Sequence, residues 1–196
     1  MNDIVGVFTS RRGRRLFLVL LAIYLAVGLP FRSMEFIAGL TDIRPVCMLM
    51  PFYGLFFGPA GAWAFAVGNV IGDVAAHDLT WASVGGFVAN FAAVYVYYLM
   101  WNRLSRSRVT IADWHGLGVY LLSVLAATVI TVGILTPAVW LAVPGVNLAY
   151  FTQIVLINNC LFAVVPGMAL IIIAETEYRM VPYGEARRAG QLSSLP

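Results

Sequence analysis

The chain has 196 residues, of which 61% are apolar and 11% charged. Soluble domains carry about 45–50% apolar and about 25% charged residues, so this composition excludes disorder, coiled coil and most soluble folds, and it belongs in lipid. All twelve basic residues are arginines and the net charge is +3. With no aromatic-plus-basic module beside it, that excess reads as a topology signal and not as a nucleic-acid footprint.

Arg11, Arg12, Arg14 and Arg15 precede Leu16–Pro30, an arrangement that imitates a secretory signal. The sequence Val27-Gly28-Leu29-Pro30-Phe31-Arg32 is a poor small-residue cleavage site, and more apolar stretches follow. We read a retained first helix, Leu16–Phe31. Ala22 and Ala26 lie four apart on it, a spacing that lets another helix approach closely, either inside the bundle or from a second subunit. The next segment, Arg32–Arg44, mixes charges with Met34, Phe36, Ile37 and Ile43. A purely solvated loop needs none of these, so a lid that folds back is expected.

Pro45–Gly72 carries no charged side chain over 28 residues, long for one membrane span and short for two. Phe57-Gly58-Pro59-Ala60-Gly61 marks a turn near its middle. Arginine placement chooses between a kinked helix and a hairpin, because cytoplasmic flanks are arginine-rich. Six spans put ten arginines on the N-terminal side of the membrane (11, 12, 14, 15, 103, 106, 108, 179, 187 and 188) and leave Arg32 and Arg44 outside. Five spans leave four inside and eight outside. Six spans follow, with spans 2 and 3 at Pro45–Phe57 and Ala60–Ala76 and both termini cytoplasmic.

Span 3 carries Gly68 and Gly72 on one strip and Asn69 and Asp73 on the adjacent one. Asp73 falls near the outer end of the span and Arg44 at the outer mouth of span 2, where a pair would keep the carboxylate ionised. That pair either fastens two spans or contacts a ligand. His77, Asp78 and Trp81 occupy the next outer connection. The remaining spans are Trp81–Trp101, Trp114–Val143 and Ala149–Ala174. Asn90 in span 4 and Asn158-Asn159 in span 6 are polar interruptions of apolar helices; adjacent residues lie about 100° apart, so one of the two asparagines is expected to serve packing and the other a cavity. Together Asn69, Asp73, Asn90 and Asn159 outline a polar chamber. The last outer connection, Leu141–Leu148, is uncharged.

Cys47 and Cys160 stand far apart in apolar stretches with no CxxC, the pattern of two small buried hydrophobes. No HExxH, GxSxG or paired-carboxylate motif appears, His115 stands far from Asp73, and no enzyme, cofactor or metal is expected.

These residues resemble a family: the substrate-binding S components of energy-coupling factor (ECF) transporters, the vitamin-uptake class of ABC transporters. The resemblance covers the whole chain in size and span count. Its specific parts are Ala22-xxx-Ala26, the run Arg44-Pro45 with Pro51-Phe52-Tyr53-Gly54-Leu55-Phe56-Phe57-Gly58-Pro59-Ala60-Gly61-Ala62, and Gly68-Asn69-Val70-Ile71-Gly72-Asp73. It implies an all-α bundle of six transmembrane helices (residues 16–174) between a basic cytoplasmic segment (1–15) and a cytoplasmic tail (175–196), in a prokaryotic plasma membrane. It implies capture of a vitamin-like small molecule on the outer side. Delivery would need a coupling membrane protein and two ATPases; this chain has neither a P-loop nor any lysine, so the ATPases are separate chains. Ala22 and Ala26 become the docking face. Asp42, Arg44, Trp81, Asn90 and Asn159 become candidate substrate contacts, with Asn69 and Asp73 on a less usual wall. Metal-binding members of the family use a Met and His at the extreme N-terminus; Met1-Asn2-Asp3-Ile4 has no His, which disfavours a metal ion as substrate. A stand-alone transporter titrating at Asp73 and a membrane scaffold are the competing readings.

Overall fold

The computed structural model describes residues 2–32, 35–37, 41–42, 44–105, 111 and 113–188, and of residues 2, 3, 32, 35–37, 41, 42, 187 and 188 the backbone alone. Its helices are α1 (Asn2–Thr9), α2 (Arg11–Arg32), α3 (Leu49–Phe57), α4 (Pro59–Ala75), α5 (Trp81–Leu104), α6 (Trp114–Ala142), α7 (Leu148–Phe162), α8 (Met168–Thr176) and α9 (Tyr183–Arg188). A 3-10 turn, Pro45–Met48, leads into α3, and a π-turn, Ala163–Gly167, joins α7 to α8. A short antiparallel hairpin pairs Glu35–Ile37 with Thr41–Asp42. The rest of the expected lid, Ser33, Met34, residues 38–40 and Ile43, lies outside the described residues.

Four stretches are long and apolar enough to cross a membrane: Arg11–Phe31, Trp81–Leu104, Trp114–Ala142 and Leu148–Thr176. Their outward faces carry large apolar side chains such as Val19, Leu125, Val129 and Ile157. On a soluble protein so much exposed apolar surface would be a liability; here it suits lipid. The first of these helices starts earlier than the hydropathy of the sequence indicates, because α2 takes the arginines at 11–15 into its first turns.

The uncharged stretch between the first two is a hairpin of two short helices. Gly58 has φ +51° and ψ −124°, a conformation open to glycine and strained for any residue with a Cβ. Pro59 follows at the first helical position, where its missing N–H has no intrahelical partner to lose. The reversal is visible in the packing: a Cβ on Gly61 would lie 2.7 Å from that of Tyr53. Eight residues along one continuous helix would separate them by about 12 Å.

The two short helices are the most enclosed elements of the bundle. Tyr53, Phe56 and Phe65 are buried, and the Tyr53 and Phe65 rings meet edge to face at 6.2 Å. The Tyr53 hydroxyl donates to the Leu20 carbonyl at 2.7 Å, tying α3 to α2. At Gly54 the α3 backbone approaches α5 so closely that a Cβ would fall 2.5 Å from the Val94 carbonyl oxygen. The glycine strip of α4 has one clear purpose: a Cβ on Gly68 would lie 2.2 Å from the ring of Tyr24, which stands edge to face on Phe65 at 4.7 Å. Small residues in a membrane bundle thus purchase close approach that no hydrophobic effect would otherwise drive.

Pro166 lacks the N–H that an α-helix would need at its position, and the chain takes a π-turn there. The Tyr120 hydroxyl donates to the Ala163 carbonyl within this turn. Gly167 allows Pro51 and the Met48 carbonyl to pack against it. At the same level as the Gly58 turn, α1 lies against α4, with the Trp63 indole donating to the Ile4 carbonyl at 2.9 Å. The Tyr183 ring of α9 meets Tyr98 at 5.7 Å and closes over Gly58. α1 and α9 therefore both lie at the hairpin end of the bundle.

Candidate functional site: a polar chamber in an apolar bundle

At the end of the bundle opposite Gly58, the helices leave a cavity of about 60 Å³. By size it holds a few water molecules. Its lining comes from every side. The second halves of α2 and α6 contribute Tyr24, then Thr131 and Leu135, and the middle of α4 contributes Phe65 and Asn69; the first turns of the Pro45–Phe57 segment contribute Val46, Cys47 and Met50, with Arg44 just before them; the first half of α5 contributes Asn90, and the first half of the continuous stretch Leu148–Thr176 contributes Phe151, Val155, Asn158 and Asn159. Apart from α4, whose lining residues straddle its midpoint, consecutive segments reach the cavity alternately from their C-terminal and N-terminal parts, with Leu148–Thr176 taken as one segment. They therefore run past it in alternate directions.

Asn69, Asn90 and Asn159 each bond within their own helix. Asn90 Nδ2 donates to the Gly86 carbonyl at 2.7 Å, and Asn159 Nδ2 to the Val155 carbonyl at 2.8 Å. Thr131 Oγ1 donates to the Ala127 carbonyl at 2.9 Å. Asn69 Nδ2 donates to Asp73 Oδ2 at 3.3 Å, so the polar strip on α4 is joined along its own helix. Asn158 Oδ1 accepts the backbone N–H of Arg44 at 3.2 Å, which fastens the entry to the Pro45 turn onto α7.

Four residues singled out from the sequence meet around this cavity: Arg44, Asn69, Asn90 and Asn159. Asp73 is buried one turn beyond Asn69 and is not among the lining residues. Trp81 stands elsewhere. It is 83% exposed and lines a separate groove with Val70, Leu79, Val84 and Phe87. Trp81 opens α5 and Trp114, also exposed, opens α6. The side chain of Asp42 lies outside the described residues. Ala22 and Ala26 are exposed, on the side of α2 away from buried Tyr24.

The expected division of labour between Asn158 and Asn159 does not hold: both are buried and both line the cavity. Sequence reasoning also passed over Tyr24, Cys47 and Thr131. A lone threonine or tyrosine in an apolar helix carries no signal; Thr128 and Thr131, three apart and both buried, were the available hint. His77 and Asp78 have a structural part. His77 adopts φ +61° just past α4, its N–H donating to the Val74 carbonyl at 3.1 Å, while the Asp78 N–H donates to the Asp73 carbonyl at 2.9 Å. That pair of bonds is a Schellman cap.

Among the described residues, no three His, Cys, Asp or Glu side chains gather as metal ligands would. Comparison of the chain with protein-family models, curated proteins and solved structures finds no match.

Proposed function

We propose that this chain is the membrane-embedded substrate-binding subunit of an energy-coupling factor importer, with six passes, both termini cytoplasmic and the chamber facing outward in a prokaryotic plasma membrane. The observation that carries this reading is the chamber itself. Amides from α4, α5 and α7 converge in a bundle otherwise faced with apolar side chains, and polar groups inside a membrane protein are costly unless they serve packing or a ligand. The alternating approach of consecutive elements supports an even number of passes. The arginine distribution supports the orientation. The exposed Ala22 and Ala26 on α2 support a docking face for a coupling membrane protein, and separate ATPase chains would supply the energy.

The test has two arms. Protein purified from its native membrane should carry a small vitamin-like molecule detectable by mass spectrometry; a folded sample that never binds one sinks the proposal. Replacing Ala22 and Ala26 by Trp should abolish uptake in cells that hold the partner subunits while leaving ligand binding intact. Loss of binding would instead move those alanines into the structural core. The competing stand-alone transporter, in which Asp73 titrates, requires uptake without ATPases and its loss in Asp73→Asn.

A further inference from the structure

A groove of about 450 Å³ opens on the outside of the bundle where α5 ends and α6 begins. It lies at the hairpin end, since the last turns of α5 carry Tyr98, which meets the Tyr183 ring over Gly58. Its size falls within the roughly 300–1,000 Å³ of small-molecule sites. Arg103 and Leu104 line it from α5. Trp114, Gly118 and Leu122 line it from α6, four apart on one strip of that helix. His115 closes the top: its Nε2 donates to the Leu104 carbonyl at 3.1 Å, an acceptor left without an intrahelical partner at the end of α5.

The lining is graded from charged to apolar. Arg103 is exposed at the rim, and no carboxylate is among the lining residues. The nearest acidic residue in sequence, Asp113, turns its Oδ1 to the Gly116 N–H at the start of α6. Trp114 stands beside Arg103, 89% exposed, and an indole so placed belongs at the level of lipid headgroups. Gly118 supplies the floor: no atom lies within 4 Å of where its Cβ would be. Below it the strip continues through Leu122, Leu125 and Val129, all exposed. A second groove at the opposite end of α5 has a tryptophan, Trp81, and apolar walls but no charged residue.

We infer that the Arg103–Trp114 groove holds an anionic phospholipid of the surrounding bilayer. Its phosphate pairs with the Arg103 guanidinium, its glycerol region lies against Trp114, and one acyl chain runs over Gly118 and along Leu122 and Leu125. Basic pockets between membrane helices take anionic headgroups in this way. Free phosphate would have no use for the apolar floor. Arg11 and Arg15, exposed at the start of α2 at this same end, add to the field that draws such lipids. The inference needs only that the chain sits in a bilayer, so its failure leaves the import reading standing.

The experiment titrates the full chain in detergent with dioleoylphosphatidylglycerol, dioleoylphosphatidylcholine and inorganic phosphate, and reads adducts by native mass spectrometry. One phosphatidylglycerol should be preferred over phosphatidylcholine by roughly fivefold or more, the worth of one arginine at a membrane surface, and inorganic phosphate should not bind. Arg103→Gln should erase that preference. Gly118→Leu should remove the preferred adduct by filling the groove. Its melting temperature without lipid should hold or rise, because leucine replaces a glycine inside a helix; loss of the adduct in so stable a chain is not misfolding. Equal binding of the two lipids, a preference that survives either substitution, or phosphate bound as tightly as phosphatidylglycerol overturns the inference. So does a chain that retains no lipid, which would leave the groove to a partner protein.

Discussion

The bundle is filled in two ways. At the hairpin end, rings occupy the space between helices: Phe8 meets Trp63 at 5.4 Å, Trp63 meets Phe91 at 4.9 Å, and Tyr98 meets Tyr183 at 5.7 Å. Glycines at 54, 58 and 61 let these parts approach to backbone contact. At the chamber end, the same helices carry amides and a hydroxyl whose donors turn back onto their own backbones. Rings exclude water and fix distances; at the hollow, Asn90 and Asn159 bond back to their own helices. The contrast teaches that stability and recognition are assigned to opposite ends of one bundle, so the two should respond oppositely to mutation.

The largest effect should come from the hairpin end. Gly54→Ala puts a Cβ 2.5 Å from the Val94 carbonyl oxygen and 2.6 Å from Tyr97 Cβ, where neither neighbour can swing away. We expect about 3 kcal/mol of destabilisation, a fall of roughly 10 °C in the melting temperature measured in detergent. An unchanged melting temperature would mean that α3 and α5 are not so close. Tyr120→Phe comes next. It removes the hydroxyl that donates to the Ala163 carbonyl at the π-turn and should cost about 1–3 kcal/mol, since a buried carbonyl loses its partner. Thermal unfolding of the variant decides it.

The chamber end should behave otherwise. Asn159→Leu removes a side chain whose observed bond lies within its own helix. Its melting temperature should stay within about 2 °C of the parent, or rise, because side chain-to-backbone bonds of this kind add little to a helix. A fall as large as that of Gly54→Ala would show that the amide holds the fold together and would erase the contrast. The smallest effect belongs to the cap of α4. His77 occupies a left-handed position at φ +61° that glycine adopts without strain, so His77→Gly should stabilise by about 0.5–1 kcal/mol, read as a small upward shift in melting temperature. A downward shift would assign the imidazole a contact of its own.

Much of the framework was legible in the residues. The apolar stretches and the Gly58-Pro59 turn follow from local chemistry: a span needs a minimum length, a turn needs its glycine, and lipid tolerates few charges. So did the candidacy of Asn69, Asn90 and Asn159, since an amide in an apolar helix demands a partner. The sequence alone therefore determined that this is a multi-pass helical membrane chain with polar groups inside it. Only the tertiary structure decided which of those groups share a space. It placed Trp81 in a separate groove, Asp73 one turn outside the chamber, and Tyr24, Thr131 and Asn158 in the wall. The physical reason is that hydropathy reports the depth and face of a residue within its own helix. Whether two faces enclose a cavity depends on how far apart the axes stand, and that distance is set by contacts such as Tyr24 on Gly68 and Gly54 on Val94, made between residues 44 and 40 positions apart in the chain.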